Sequence, residues 1–103
     1  MKLIECLEEY MEEELHDSKK YAKEAIKHKE DYPSLGETFF MLSGEELRHM
    51  QYLHNEVVKL IDAYRQQEGE PPADMLAIYN YLHNKQIEKV TEIKMLHNMY
   101  KEK

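Results

Sequence analysis

The sequence predicts an all-α protein, an antiparallel bundle of three long helices. Three observations predict it. Charged residues make up 34% of the 103-residue chain while Gly and Pro number only three each, a balance that favours long helices over turn-rich β structure. Apolar residues recur at helical spacing through most of the chain. The strong breakers fall in two short clusters, "DYPSLGE" and "EGEPP", which divide the sequence into three segments.

The first helix is expected from about Leu3 to Asp31, ending where Pro33 and Gly36 interrupt the pattern. The second runs from about Ser34 or Leu35 to Gln67. The third begins after Pro71 and Pro72, residues suited to a helix start, and runs nearly to the C-terminus. Each holds roughly 30 residues and spans about 45 Å. Connections this short make neighbouring helices antiparallel. The length fits one domain, 1–103, with no residues left for a fourth helix of that size.

Composition narrows the function classes. A net charge of −7 repels phosphate backbones and argues against nucleic-acid binding. No apolar run approaches the ~20 residues that span a bilayer, so no membrane association is expected. The N-terminus "MKLIECLEEYMEEE" turns acidic before any signal-peptide h-region forms. A single cysteine, Cys6, excludes an intrachain disulfide and a Cys-based zinc site. It reads as a structural thiol in a reducing, cytoplasmic setting.

The chemistry lies in two acids and a histidine. The stretch "GEELRHMQ" carries Glu46 and His49 at Glu-x-x-His spacing, and Glu13/His16 repeats that spacing. In so acidic a chain the spacing alone is a chance event. Position on the helical wheel, at ~100° per residue, separates the two copies. In the first helix Leu3, Leu7, Tyr10, Tyr21, Ala25 and Tyr32 fall within about 40° of Glu14, which places Glu14 at mid-stripe and turns Glu13 and His16 outward. In the second, Phe39, Leu42, Met50, Leu53, Val57, Leu60 and Tyr64 fall within about 40° of Glu46, with His49 about 60° to one side. A buried unpaired carboxylate costs several kcal/mol and persists only when paired, protonated or bound to metal. Two such acids facing each other without Lys or Arg favour a divalent cation, and His49 adds a nitrogen suited to iron, zinc or manganese. The alternative is that Glu14 and Glu46 are protonated acids hydrogen-bonded to Tyr10 or Tyr21. A second apolar stripe on the same helix, Phe40, Leu47 and Val58, is expected to meet either the third helix or a second copy of the chain.

The runs "ELHDSKKYAKEA" and "FFMLSGEELRHM", with Glu14, Tyr21 and Ala25 in one and Phe39, Glu46 and His49 in the other, resemble the first two helices of rubrerythrin-type ferritin-like proteins. The resemblance covers about residues 7 to 57. It implies a di-iron carboxylate four-helix bundle in which Glu14, Glu46 and His49 are iron ligands and Tyr21, with Tyr10, stands beside them. The family's second Glu-x-x-His is missing from the third segment. There the apolar seam reads Leu76, Tyr79, Leu82, Ile87, Val90, Ile93 and Tyr100, and Glu88 and Glu92 fall nearly opposite Val90. His83 and His97 lie on that seam; with Glu92 they rank below the three principal ligands. The rubredoxin-like cysteine site of rubrerythrins is also absent, so no electron donor is built in.

Three ligands make half of a four-Glu, two-His site. That half-site pattern is similar to the encapsulated ferritins, which implies a homodimer, or a higher homo-oligomer, completing a four-helix core and a shared ferroxidase site. Glu46 of each chain would bridge two irons, with Glu14 and His49 as terminal ligands, for oxidation of Fe(II) by dioxygen or peroxide. The competing reading is a non-enzymatic acidic helical module that binds another protein and lacks a functional metal site.

Overall fold

The computed structural model describes residues 1–102. They form α1 (Lys2–His28), α2 (Pro33–Glu68) and α3 (Ala73–Lys101), with no strand among the described residues. The all-α, three-helix expectation holds. Pro33 stands at the start of α2, where its missing N–H costs nothing. Gly69 ends α2 at φ 82°, a left-handed conformation that glycine adopts without strain. No described helix is long and apolar enough to cross a membrane.

The three helices do not share contacts equally. α1 packs closely along both others, whereas the α2 and α3 backbones rarely approach and these two helices meet through side chains. The molecule is a rod of 56 × 17 × 17 Å. Its accessible surface is 7235 Å², against roughly 6100 Å² for a compact globule of this mass.

Buried positions on α1 are Ile4, Glu8, Met11, Leu15, Ser18, Ala22 and Ala25, a run of alternating four- and three-residue steps. On α2 they are Gly36, Ser43, Met50 and Val57, one every seven residues. With Ile93 of α3, the large members form the core, and Leu7, Leu47, Leu53, Leu60, Ile61, Tyr79 and Val90 pack against it.

This corrects the wheel reading. Glu14 and Glu46 are not at the centre of the buried stripes. Each seam is rotated from its acid, by roughly 70° on α1 and 50° on α2. Small residues cause the difference. Ser18, Ala22, Ala25, Gly36 and Ser43 carry little hydrophobic weight, yet they let the two backbones approach, and the large side chains are displaced to the flanks. Ser18 and Ser43 are fully buried there. Each hydroxyl donates to the other residue's carbonyl, at 2.8 and 2.7 Å. A Cβ on Gly36 would stand 3.1 Å from the Ala25 carbonyl oxygen and 3.2 Å from the Lys29 Cα.

The third helix covers much of the second stripe of α2. Tyr100 stacks on Phe40 at 4.6 Å, and Leu47 packs on the core. Val58 stays exposed. On α3 the expected seam survives in Ile93, Val90, Tyr79 and Tyr100, but Ile87 is half exposed. It borders an open cleft of about 270 Å³ between α2 and α3, shared with Met50, His54, His83 and Val90.

Gly44 has open space where its Cβ would be, in contrast to Gly36. Gly44→Ala is therefore expected to stabilise the fold by about 0.5–1 kcal/mol through helix propensity and lost unfolded-state entropy. Gly36→Ala should forfeit that gain by crowding rigid backbone and lower the urea midpoint, an opposite sign that equilibrium unfolding reads directly.

Candidate metal centre

Antiparallel packing of α1 on α2 sets Glu14 against Glu46, and His49 follows Glu46 by almost one turn. One ligand atom from each lies within 4.8 Å of the other two. His49 Nδ1 is 3.5 Å from Glu14 Oε2 and 3.8 Å from Glu46 Oε2. The two carboxylates are partly buried, 26% and 20% exposed, and the imidazole is 53% exposed on the outer edge. Glu14 Oε2 is buried without any hydrogen-bond partner; the nearby His49 nitrogen forms an ion pair in distance but not a hydrogen bond. No Lys or Arg pairs with either acid among the described residues.

The donor set fits a first-row divalent ion. Two carboxylate oxygens and one imidazole nitrogen are ordinary ligands of iron, manganese and zinc. Donors on such an ion, with bonds near 2.1 Å, stand roughly 3–4 Å apart, so the observed spread closes with small side-chain rotations. Three protein donors leave open positions.

The cluster sits on the flank of the α1/α2 seam that α3 does not cover. On α1, α3 contacts the opposite flank, where Lys19 pairs with Glu92 at 2.8 Å and the Gln86 amide donates to the Glu8 carboxylate. The open flank is apolar around the cluster. Leu3, Tyr10 and Leu35 are exposed, and Leu7, Tyr21, Phe39, Leu42, Leu53 and Leu60 are half-buried.

The other expected site residues are distributed elsewhere. Tyr21 lies in the neighbouring layer, stacked on Phe39 at 6.0 Å between ring centroids. Tyr10 is half-exposed; a hydrogen bond with Cys6 is the main cause that raises its phenol above the ordinary value. Neither tyrosine bonds to Glu14 or Glu46 among the described residues, and the orphaned Glu14 Oε2 counts against the protonated, tyrosine-bonded alternative. His83 stacks on His54 at 5.2 Å, across the α2/α3 cleft. His97 Nε2 is 2.7 Å from the Ser43 hydroxyl and its ring meets Phe40 edge-on. Lys19 holds the Glu92 carboxyl below its ordinary range. These three therefore stand apart from the cluster, because α3 packs on the other side of α1. His16 faces water beside Asp17, as expected of the outward copy.

Three buried polar residues, Glu8, Ser18 and Ser43, escaped the sequence reading. Glu8 lies in the true α1 seam, where burial pushes its carboxyl up and the Gln86 amide partly offsets this. Its signal was the heptad phase shared with Ile4, Met11 and Leu15. The Ser43–His97 pair has the spacing of a nucleophile and base, but Ser43 is fully buried and no substrate could reach it. It is a packing contact.

Comparison with protein-family models, curated proteins and solved structures finds no match for this chain.

Burial lowers the affinity of His54 and His97 for protons, with the facing His83 adding to it at His54 and Lys101 at His97. The unfolded chain binds those protons more readily, so both histidines contribute stability above 6.5 that is lost as pH falls through that value toward the depressed folded ones. Glu8 has the opposite sign, its burial cost being relieved as pH falls through its raised value toward 4.5. The urea midpoint should drop on acidification through pH 6.5, and a His54→Asn/His97→Asn variant should flatten that drop.

Proposed function

We propose that this chain binds a divalent transition metal ion through Glu14, Glu46 and His49, and that a second copy completes a ferritin-like di-iron centre. The observation that carries the reading is the convergence of three donor atoms around a buried carboxylate oxygen that no described residue hydrogen-bonds. Iron suits the donors best in a ferroxidase role; manganese and zinc compete for the same atoms.

The uncovered face favours a shared site. Two copies meeting through their α1/α2 flanks would form a four-helix bundle with the two half-sites inside. The rod exposes on the order of 1000 Å² more than a compact globule, comparable to one partner's share of a standard interface. In that arrangement Glu46 would take the bridging role that the family resemblance implies, while Glu14 and His49 would hold each side. The apolar residues around them exclude water and strengthen the carboxylates' hold on a cation. Iron bound there would supply the capacity to pass electrons to dioxygen or peroxide, with Fe(II) as substrate.

One observation favours the non-enzymatic reading. At 3.5 and 3.8 Å, a protonated His49 partly compensates both carboxylates without a metal. The same apolar face would then dock another protein.

Metal analysis separates the two readings. Protein purified with iron or manganese should hold about one ion per chain, two per dimer. Glu46→Ala and His49→Ala should lose most of it, and Glu13→Ala should not. Sub-stoichiometric metal that no ligand substitution changes would sink the metal reading. Two irons on a protein that light scattering shows to be monomeric would sink the shared site.

A further inference from the structure

The cleft between α2 and α3 holds two histidines that the Glu14/Glu46/His49 cluster does not use. α3 runs antiparallel to α2, and the pairing of Phe40 with Tyr100 and of Ser43 with His97 fixes their register. Farther along, the same register sets His54 against His83, with ring centroids 5.2 Å apart and planes 17° from parallel. The pair stands between two openings to solvent. One, of about 270 Å³, has Met50 and Ile87 beside the rings. The other, of about 240 Å³, reaches down to Glu8 and Gln86 on the α1 side. The chain's other histidines, His16, His28, His49 and His97, each meet a carboxylate or a hydroxyl. His54 and His83 face each other, with no hydrogen bond or ion pair to either ring among the described residues.

The separation has a chemical meaning. Two imidazoles on one tetrahedral ion, with bonds of about 2.0–2.1 Å, keep their centroids roughly 5 Å apart. The rings need only turn about their Cβ–Cγ bonds, a soft torsion, to bring one nitrogen of each to a common point. Burial and the facing His83 lower the proton affinity of His54, which keeps that ring in the neutral form a metal requires. Below the pair, the buried Glu8 carboxylate already acts on His83 through its charge.

We propose that His54 and His83 bind a zinc ion across the α2/α3 cleft and so staple α3 to α2, with the Glu8 carboxylate as its buried counter-charge. The site is independent of the Glu14/Glu46/His49 reading and stands or falls without it. Its nitrogen donors select zinc, copper or nickel over manganese, whereas the two carboxylates of the first cluster suit iron and manganese. The staple falls where the α2 and α3 backbones rarely approach, so a bond there ties the third helix where side-chain packing alone holds it. Packing accounts for two neutral rings in contact, but not for their place between two openings above a buried carboxylate.

Glu46→Ala/His49→Ala removes the first cluster, so calorimetric titration of that variant with zinc chloride reads the α2/α3 site alone. About one zinc per chain is expected. Adding His83→Gln, at an exposed position, should weaken binding about tenfold or more. Adding Glu8→Gln instead, which keeps an acceptor for the Gln86 amide, should weaken it several-fold. Excess zinc should raise the urea midpoint of Glu46→Ala/His49→Ala and leave that of its His83→Gln derivative unmoved. With the first cluster intact, His83→Gln alone should remove about one zinc per chain, which keeps the test decisive if the double variant does not fold. A helical Glu46→Ala/His49→Ala variant that binds no zinc, or zinc binding that His83→Gln leaves unchanged, would overturn the site. Bound zinc without a rise in the urea midpoint would overturn the staple, and an affinity indifferent to Glu8→Gln would overturn the role given to Glu8.

Discussion

The close approach of α1 to α2 through small residues sets everything else in this molecule. Ser18 meets Ser43 by paired hydroxyl-to-carbonyl bonds, and Gly36 lies against the backbone at Ala25 and Lys29. These contacts fix one antiparallel register. Stepping four residues back from Ser18 and three forward from Ser43 brings Glu14 to Glu46. Stepping three forward and four back brings Tyr21 to Phe39, whose rings are stacked. A slip of one turn would separate both pairs and strand a hydroxyl at each serine, at a cost of about 1–3 kcal/mol per unsatisfied buried group. The register that the core requires is therefore also the one that assembles the donor cluster.

Much of the fold was legible because its signals are local. Pro33, Gly69 and the Pro71–Pro72 pair mark helix ends by backbone chemistry that tertiary packing does not alter. The grouping of Glu14, Glu46 and His49 was legible for a related reason: spacing and short connections leave antiparallel helices few registers. The depth of the acids was misread. A wheel weighted by large apolar residues follows Leu3, Tyr10 and Phe39, whereas the seam follows Ser18, Ala22, Gly36 and Ser43, whose value is their smallness. The place of α3 was not legible either. Its seam could be read, but apolar residues also lie around the helix, with Ile78, Tyr81, Ile87, Met95 and Met99 exposed, so the pattern did not say which flank of α1 it would meet. His83, His97 and Glu92 are kept from the cluster by this packing, since α3 lies on the opposite flank of α1.

Burial of polar groups elsewhere in the molecule gives the orphaned oxygen its weight. Glu8 receives the Gln86 amide. Ser18 and Ser43 satisfy each other, and His97 meets the Ser43 hydroxyl. The chain therefore partners the polar groups of its core, at positions where it could have placed apolar residues. Glu14 Oε2 is the exception among the described residues. A folded protein retains such an exception where something outside the chain completes it, or where strain has a use.

The two flanks of the α1/α2 layer make the same distinction on a larger scale. The flank toward α3 is covered in part by rings and by side chains that pair within the chain, Phe40 with Tyr100 and Glu8 with Gln86. The other flank carries the donor cluster and exposed Leu3, Tyr10 and Leu35. Here α3 leaves uncovered the flank that holds the unsatisfied carboxylate. Covering it with α3 would bury the donor cluster and, on the proposed reading, close the positions a metal there would leave open. A second α1/α2 pair is different, because its own two acids and histidine arrive at the same height by symmetry. On the proposed metal-bound reading, the placement of α3 leaves the ligand flank free, and the partner proposed for that flank is the same surface of a second copy.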